Sequence, residues 1–321
     1  MNERESDSAW RLFHLNWAVI GAMAAVLGTA MLAGGFSVKP ASLTLPLVTI
    51  AVYVGAAYYN VWRGKRDPLV IFILGSTGQI LSIALVMTPI TYVAASLAFP
   101  LQDHMFAAID RAMGLDWNAH FDFIAQYDWL VTSAVSAYSM IRLPVFAIPV
   151  VLGFVRHYRR LQEFTLALAL TLIVTTVIST ALPAVGVYDE QMFTRANPVF
   201  SSPAYLLHLH DFGMLRAGTM HEFDLDKLAG ILTFPSFHAA AAILYLWALW
   251  SVWWMRPVAL AVNAAMIAAT PIIGGHYFID VIAGMALAVA AIAAAKWISR
   301  RYLARAPEPA ASLATASAPA E

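Results

Sequence analysis

Cysteine is absent from the 321 residues, and charge is scarce: 12% of positions are Asp, Glu, Lys or Arg. The first absence excludes disulfides, thiolate metal sites and thiol chemistry. The second, set against about 25% in soluble domains, excludes an ordinary water-soluble enzyme. A net charge is lacking too. Nineteen basic residues balance nineteen acidic ones, so no overall field draws nucleic acid. What is abundant is apolar: 61% of residues are hydrophobic and the mean hydropathy is +0.70, which excludes disorder. The composition predicts an all-α, polytopic membrane helical bundle.

A bilayer core needs about 20 apolar residues per helix, and charged punctuation divides the chain into eight such runs. They are Leu12–Val38, Pro40–Trp62, Pro68–Gln102 (with Pro89 expected to kink or end it), Trp129–Val155, Phe164–Tyr188, Ser236–Met255, Pro257–Ile273 and His276–Trp297. Basic residues segregate to one side: Arg4, Arg11, Arg63, Lys65, Arg66, Arg156, Arg159, Arg160, Arg256, Lys296, Arg300, Arg301 and Arg305. Aspartates 103, 110, 116, 122, 128, 189, 211, 224 and 226, with Glu190 and Glu222, lie on the other. The positive-inside rule then puts both termini in the cytoplasm and the acidic segments, 103–128 and 189–235, outside. No cleavable signal peptide is expected. The Ala/Pro/Ser-rich tail from Ala306 is expected to be disordered.

Seven of the nine histidines fall on the acidic side. Two stand in informative settings. In Gly-Gly-His-Tyr-Phe-Ile-Asp (274–280), His276 and Asp280 are four residues apart and on a helix face the same way. Only 15 residues separate Asp280 from Lys296, about 22 Å of helix, so the last span is expected to include Asp280 and His276 near its outer boundary. Ionisable groups at that depth mark function by default; a carboxylate on one imidazole N–H fixes the tautomer and makes the other nitrogen a better nucleophile or base. In Thr-Phe-Pro-Ser-Phe-His (233–238), Pro235 is expected to start a helix, with Ser236 and His238 in its first turn. Free amides and the helix dipole favour an anion there, and the four alanines that follow let a neighbour approach closely. Together, two imidazoles, a carboxylate and a helix N-terminus suit phosphoryl transfer through a histidine, one His attacking phosphorus and the other protonating the leaving oxygen.

Pro235-Ser236-Phe237-His238 and His276-Tyr277-Phe278-Ile279-Asp280-Val281-Ile282-Ala283-Gly284 resemble the second and third signatures of the type 2 phosphatidic acid phosphatase superfamily. They look closest to its inositol phosphorylceramide synthase-like (inositolphosphotransferase) branch, and the stretches Asp110–Trp117 and Leu182–Gly186 agree. The resemblance covers roughly 70–300. It implies a six-helix phosphatase-like core and a metal-independent enzyme without a cofactor, in which His276 is the nucleophile, Asp280 its partner and His238 the general acid. Two of the superfamily's phosphate-binding cations are replaced, the lysine by Val135 and the arginine before the third signature by Thr270; this too resembles the synthase-like branch. Substitute positive charge is expected from Arg142, or from Arg195, Arg216 or Lys227, with Ser236 and Tyr138 completing a substrate-binding set.

The expected layout is an N-terminal piece with two spans (1–67), a phosphatase-like membrane domain (68–300) and a tail (301–321). The expected substrate is a phospholipid or sphingolipid-like molecule reached from the bilayer at the extracytoplasmic face of a bacterial inner membrane. The alternative is a transporter using the intramembrane Arg142 and Asp280 as a relay, although no inverted repeat accompanies them. His208-Leu-His210-Asp211 and His221-Glu222 offer no three-ligand metal spacing. A metal-dependent CDP-alcohol phosphotransferase would need a motif beginning Asp-Gly, a dipeptide the chain lacks. Whether water or a lipid alcohol accepts the phosphoryl group stays open at this level.

Overall fold

The computed structural model describes residues 3–64, 67–187, 203–228 and 230–305. The chain begins with α1 (Glu3–Gly34), a two-residue strand β1 (Ser37–Val38), α2 (Pro40–Trp62) and α3 (Pro68–Ser96). Two short helices, α4 (Asp103–Ala112) and α5 (Trp117–Ala125), lead to α6 (Asp128–Ser139), a 3₁₀ turn at Met140–Arg142, and α7 (Pro144–Phe154). Then come α8 (Tyr158–Ala181), α9 (Pro203–Arg216), β2 (Glu222–Phe223), α10 (Phe237–Leu249), α11 (Arg256–Ile273) and α12 (Phe278–Ala304). The strands form one parallel pair, Ser37 opposite Glu222 and Val38 opposite Phe223. The protein is an all-α polytopic helical bundle and an integral membrane protein.

Among the described residues six helices are long and apolar enough to cross a membrane: α1, α2, α3, α8, α11 with the turn before it, and α12. The other two expected spans take different shapes. α6 and α7 meet at 60°, because Pro144 has no N–H to continue the ladder and Leu143 closes a tight turn onto the Met140 carbonyl at 3.1 Å. α10 has 13 residues, about 20 Å of helix, short of a full crossing. Pro89 does not end its span: α3 runs on to Ser96 with Pro89 buried inside it. α12 also overruns the expected boundary at 300, ending at Ala304; the tail from Ala306 lies outside the described residues.

α10 is the hub. Ala239, Ala240, Ala241 and Ala242 are fully buried, and their small side chains let α8 and α12 close in on it, as small-residue stripes do in membranes. α1 joins the bundle through amides: Asn16 donates to the Gln162 side chain at 2.9 Å, Gln162 to Ser76 at 2.7 Å, and Gln79 to the Phe13 carbonyl at 2.7 Å. At one end the basic residues engage helix ends: Arg159 pairs with Glu163 at 3.0 Å, Glu163 accepts from Ser299, and Arg160 donates to the Ala248 carbonyl. The 103–128 segment and both histidine motifs gather at the opposite end.

Candidate active site

α12 begins two residues after its histidine. Tyr277 is the N-cap, Asp280 the third helical residue, and His276 lies outside. The expected helical i, i+4 pairing is therefore made through the cap turn: Asp280 Oδ2 accepts the Tyr277 N–H at 3.0 Å and meets His276 Nδ1 at 3.2 Å. Both residues are buried, at 0% and 3% exposure. Gly275, at φ +64°, supplies the left-handed step before the histidine. At Gly274 a Cβ would stand 2.7 Å from the His276 ring and 2.8 Å from the Tyr138 hydroxyl, so only glycine lets these groups converge. A hydrogen bond to the Thr233 carbonyl also holds the His276 ring, and burial pushes its pKa down from the ordinary range to about 4.

α10 brings the second histidine. Ser236 is its N-cap, with Pro235 just before it. The Ser236 Oγ accepts from Ala239 N at 3.4 Å, and its own N–H donates to the Asp280 carbonyl at 2.9 Å. The hydroxyl expected to meet substrate is thus fully buried, capping its own helix. The same bonds stitch the starts of α10 and α12 together. His238, in the first turn, is half-buried and stacks on Tyr138 with centroids 3.7 Å apart and planes at 12°. Tyr138 therefore touches one histidine with its face and approaches the loop of the other with its hydroxyl.

Of the expected cations, the structure brings Arg142 to the site. It stands at the α6–α7 bend, is exposed, and is a charged neighbour of His238. Among the described residues it has no ion-pair or hydrogen-bond partner. Arg216 is engaged elsewhere, donating to the Phe99 carbonyl at 2.9 Å and lying over the Phe212 ring. Lys227 is mostly exposed and pairs with Asp224 at 3.8 Å. Neither contacts the histidine pair, and Arg195 lies outside the described residues. Thr270 is fully buried and returns its hydroxyl to the Met266 carbonyl, so it replaces no phosphate ligand.

Three residues that sequence reasoning passed over belong here. Asp110 Oδ2 accepts from Phe278 N at 2.7 Å and Oδ1 from Ile279 N at 2.9 Å. Asp103 accepts from Gly186 N at 2.9 Å and from the Tyr277 hydroxyl at 3.2 Å. His208 of α9 meets the Gly230 carbonyl at 3.0 Å and is an electrostatic neighbour of His276; burial lowers its pKa. Beside the site an apolar groove of about 320 Å³ runs between α11 and α12, lined by Leu115, Ile267, Pro271, Phe278, Ile282 and Met285 among others. Among the described residues no group of three or more His, Asp or Glu is placed to hold a metal ion.

The helical bundle thus buries a histidine–carboxylate pair near a second histidine and an arginine that has no partner among the described residues. The PAP2 superfamily profile matches residues 104–294, more than half of the chain, and the protein belongs to that superfamily. It is accordingly a phosphatase-type enzyme acting on phosphate esters. No curated protein and no solved structure matches the chain.

Proposed function

We propose that the protein is a membrane-embedded lipid phosphatase or lipid phosphotransferase that works through a phosphohistidine. The observation that carries this reading is the buried His276–Asp280 pair, with Nδ1 held on the carboxylate, next to His238 and Arg142. His276 Nε2 attacks phosphorus, the bond to the leaving oxygen breaks, and His238 delivers a proton to that oxygen. Deprotonated His238 then takes a proton from water or a lipid alcohol, whose oxygen attacks the phosphohistidine and returns His276 to its resting form. Arg142 holds the equatorial phosphate oxygens. No step needs a metal.

A lipid substrate is supported by the apolar groove, which is lined largely by two membrane helices and includes Phe278, two residues from His276. An extracytoplasmic site is supported by the charge segregation of the loops. The inositol phosphorylceramide synthase-like branch is supported by Val135 and Thr270 standing where the wider superfamily carries cations. To test the reading, purified protein is offered labelled phospholipids with and without acceptor lipids, in chelator and with vanadate. The expected result is chelator-resistant turnover, vanadate inhibition and an acid-labile phosphoenzyme that His276→Ala abolishes. Transport without phosphate release, or activity restored by one particular metal, overturns it.

A further inference from the structure

We infer that Asp110 of α4 is a positioning residue for His276: it holds the first turn of α12 so that Asp280 and the histidine stay in register. The inference rests on the phosphohistidine reading above. Asp110 is 5% exposed, a rare state for an aspartate without a paired cation, and among the described residues no Lys, Arg or His forms an ion pair with it. Its partners are the amides of Phe278 and Ile279, the first two residues of α12. These belong to the N–H groups that a helix start leaves unsatisfied, at the positive end of its dipole.

The preceding amide, Tyr277 N, is taken by Asp280. Three successive N–H groups are therefore held by two carboxylates, one from within α12 and one from α4. Asp103, seven residues before Asp110 and on the same face of α4, reaches the Tyr277 hydroxyl and the amides of Val185 and Gly186. Val187 N in turn donates to the Gly275 carbonyl at 3.0 Å. Helix α4 thus grips the residue after His276 directly and the residue before it through the 185–187 segment. The direction of the imidazole follows from the backbone of Gly275 and Tyr277, and Asp110 fixes where that backbone enters α12. Without it the first turn is free to rewind, and the Nδ1–Asp280 contact, set by the cap rather than by a helix face, is lost.

The test separates positioning from plain helix capping by comparing Asp110→Asn and Asp110→Glu with Asp67→Asn. Asp67 caps α3 through Leu69 N at 2.9 Å, far along the chain from the histidines. The phosphoenzyme burst is followed with a nitrophenyl phosphate; its amplitude counts competent molecules and its rate reports the chemistry. Misplacement by about 1 Å can lower a rate on the order of 10²-fold. Asp110→Asn and Asp110→Glu should slow the burst roughly 10–100-fold at full amplitude, with KM within about twofold of wild type, while Asp67→Asn keeps the wild-type rate. A normal rate at reduced amplitude makes Asp110 a structural cap only and overturns the inference, as does a burst unchanged in both respects. If the wild type forms no phosphoenzyme, the catalytic reading has failed, and ¹⁵N-imidazole NMR decides the inference alone. The His276 Nδ1–H signal should then be present in wild type and Asp67→Asn and lost in Asp110→Asn; its persistence unchanged overturns it.

Discussion

Gly284 offers a sharp perturbation of the geometry between the two histidines. It lies one turn beyond Asp280 in α12, where the helix passes the start of α10. A Cβ at this position would overlap the Ser236 carbonyl oxygen and stand 3.1 Å from the carbonyl carbon and 3.3 Å from the amide nitrogen. All three are backbone atoms, tied down by Ala240 N on that carbonyl and by the Ser236 N–H on Asp280, so no rotamer change relieves the clash. A carbon and a carbonyl oxygen rest about 3.3–3.6 Å apart, so Gly284→Ala separates the helices by on the order of 1 Å. Overpacking of this kind costs about 1–3 kcal/mol. The shift falls on the segment holding His238 against His276 and should lower kcat about 10²-fold. Thermal unfolding in detergent and turnover of an aryl phosphate measure the two effects. Gly28→Ala is the control, because a Cβ there meets nothing within 4 Å. A Gly284→Ala protein with wild-type melting and wild-type kcat would refute the claim that this close approach sets the site.

His276→Ala should abolish turnover of every substrate. His238→Ala should lose about 10²–10⁴-fold on an alkyl phosphate and less on a nitrophenyl one, since an acidic leaving group needs less protonation; equal losses on both would remove its role as acid. Arg142→Gln should raise KM or weaken vanadate binding by roughly 10–100-fold, the equivalent of a charged hydrogen bond of about 1.5–3 kcal/mol. Its melting temperature should not move, because the guanidinium has no partner to lose. The His276 ring, with its pKa pushed down to about 4 by burial, stays neutral through the ordinary histidine range. kcat/KM should therefore not fall through pH 6.5 on this account. Stability should decline on acidification between about 6.5 and 4, where the unfolded chain binds the proton and the folded one does not; a melting temperature flat across that window contradicts the burial argument. Ala217→Cys should react with an impermeant thiol reagent from outside intact cells and Gly64→Cys only after permeabilisation; the reverse pattern would turn the site inward.

The bundle was legible because hydropathy and charge are one-dimensional signals. Runs such as Pro40–Trp62 became helices with the same bounds, since a bilayer-length stretch has few alternatives. The shorter α10 and the bent α6–α7 were less legible: both depend on what the neighbours tolerate, and the run at 236–255 simply contained more apolar residues than its helix uses. His276 and Asp280 were visible as a pair, yet their contact is a property of a cap, which spacing alone does not distinguish from a helix face. Arg216 and Lys227 had the right charge in the right loop, but sequence does not show whether a guanidinium already serves carbonyls. Asp110 was the least visible. Its partners are backbone amides 168 and 169 positions away, and backbone amides carry no side-chain signature.

The two-residue strand pair gives the first two spans a mechanical meaning. β1 sits in the turn between α1 and α2, and β2 in the segment that follows α9; Lys39 reinforces the join by bridging to Asp224 across 185 positions. Phe36 stacks on Phe223, which in turn rests on Tyr92 of α3. The hairpin of α1 and α2 is therefore clasped to the segment between α9, which carries His208, and α10. The chain upstream of the matched region is thus tied to a segment inside it, and a pull on α1 or α2 reaches β2 through two backbone hydrogen bonds, Ser37 N to the His221 carbonyl and Lys39 N to the Phe223 carbonyl.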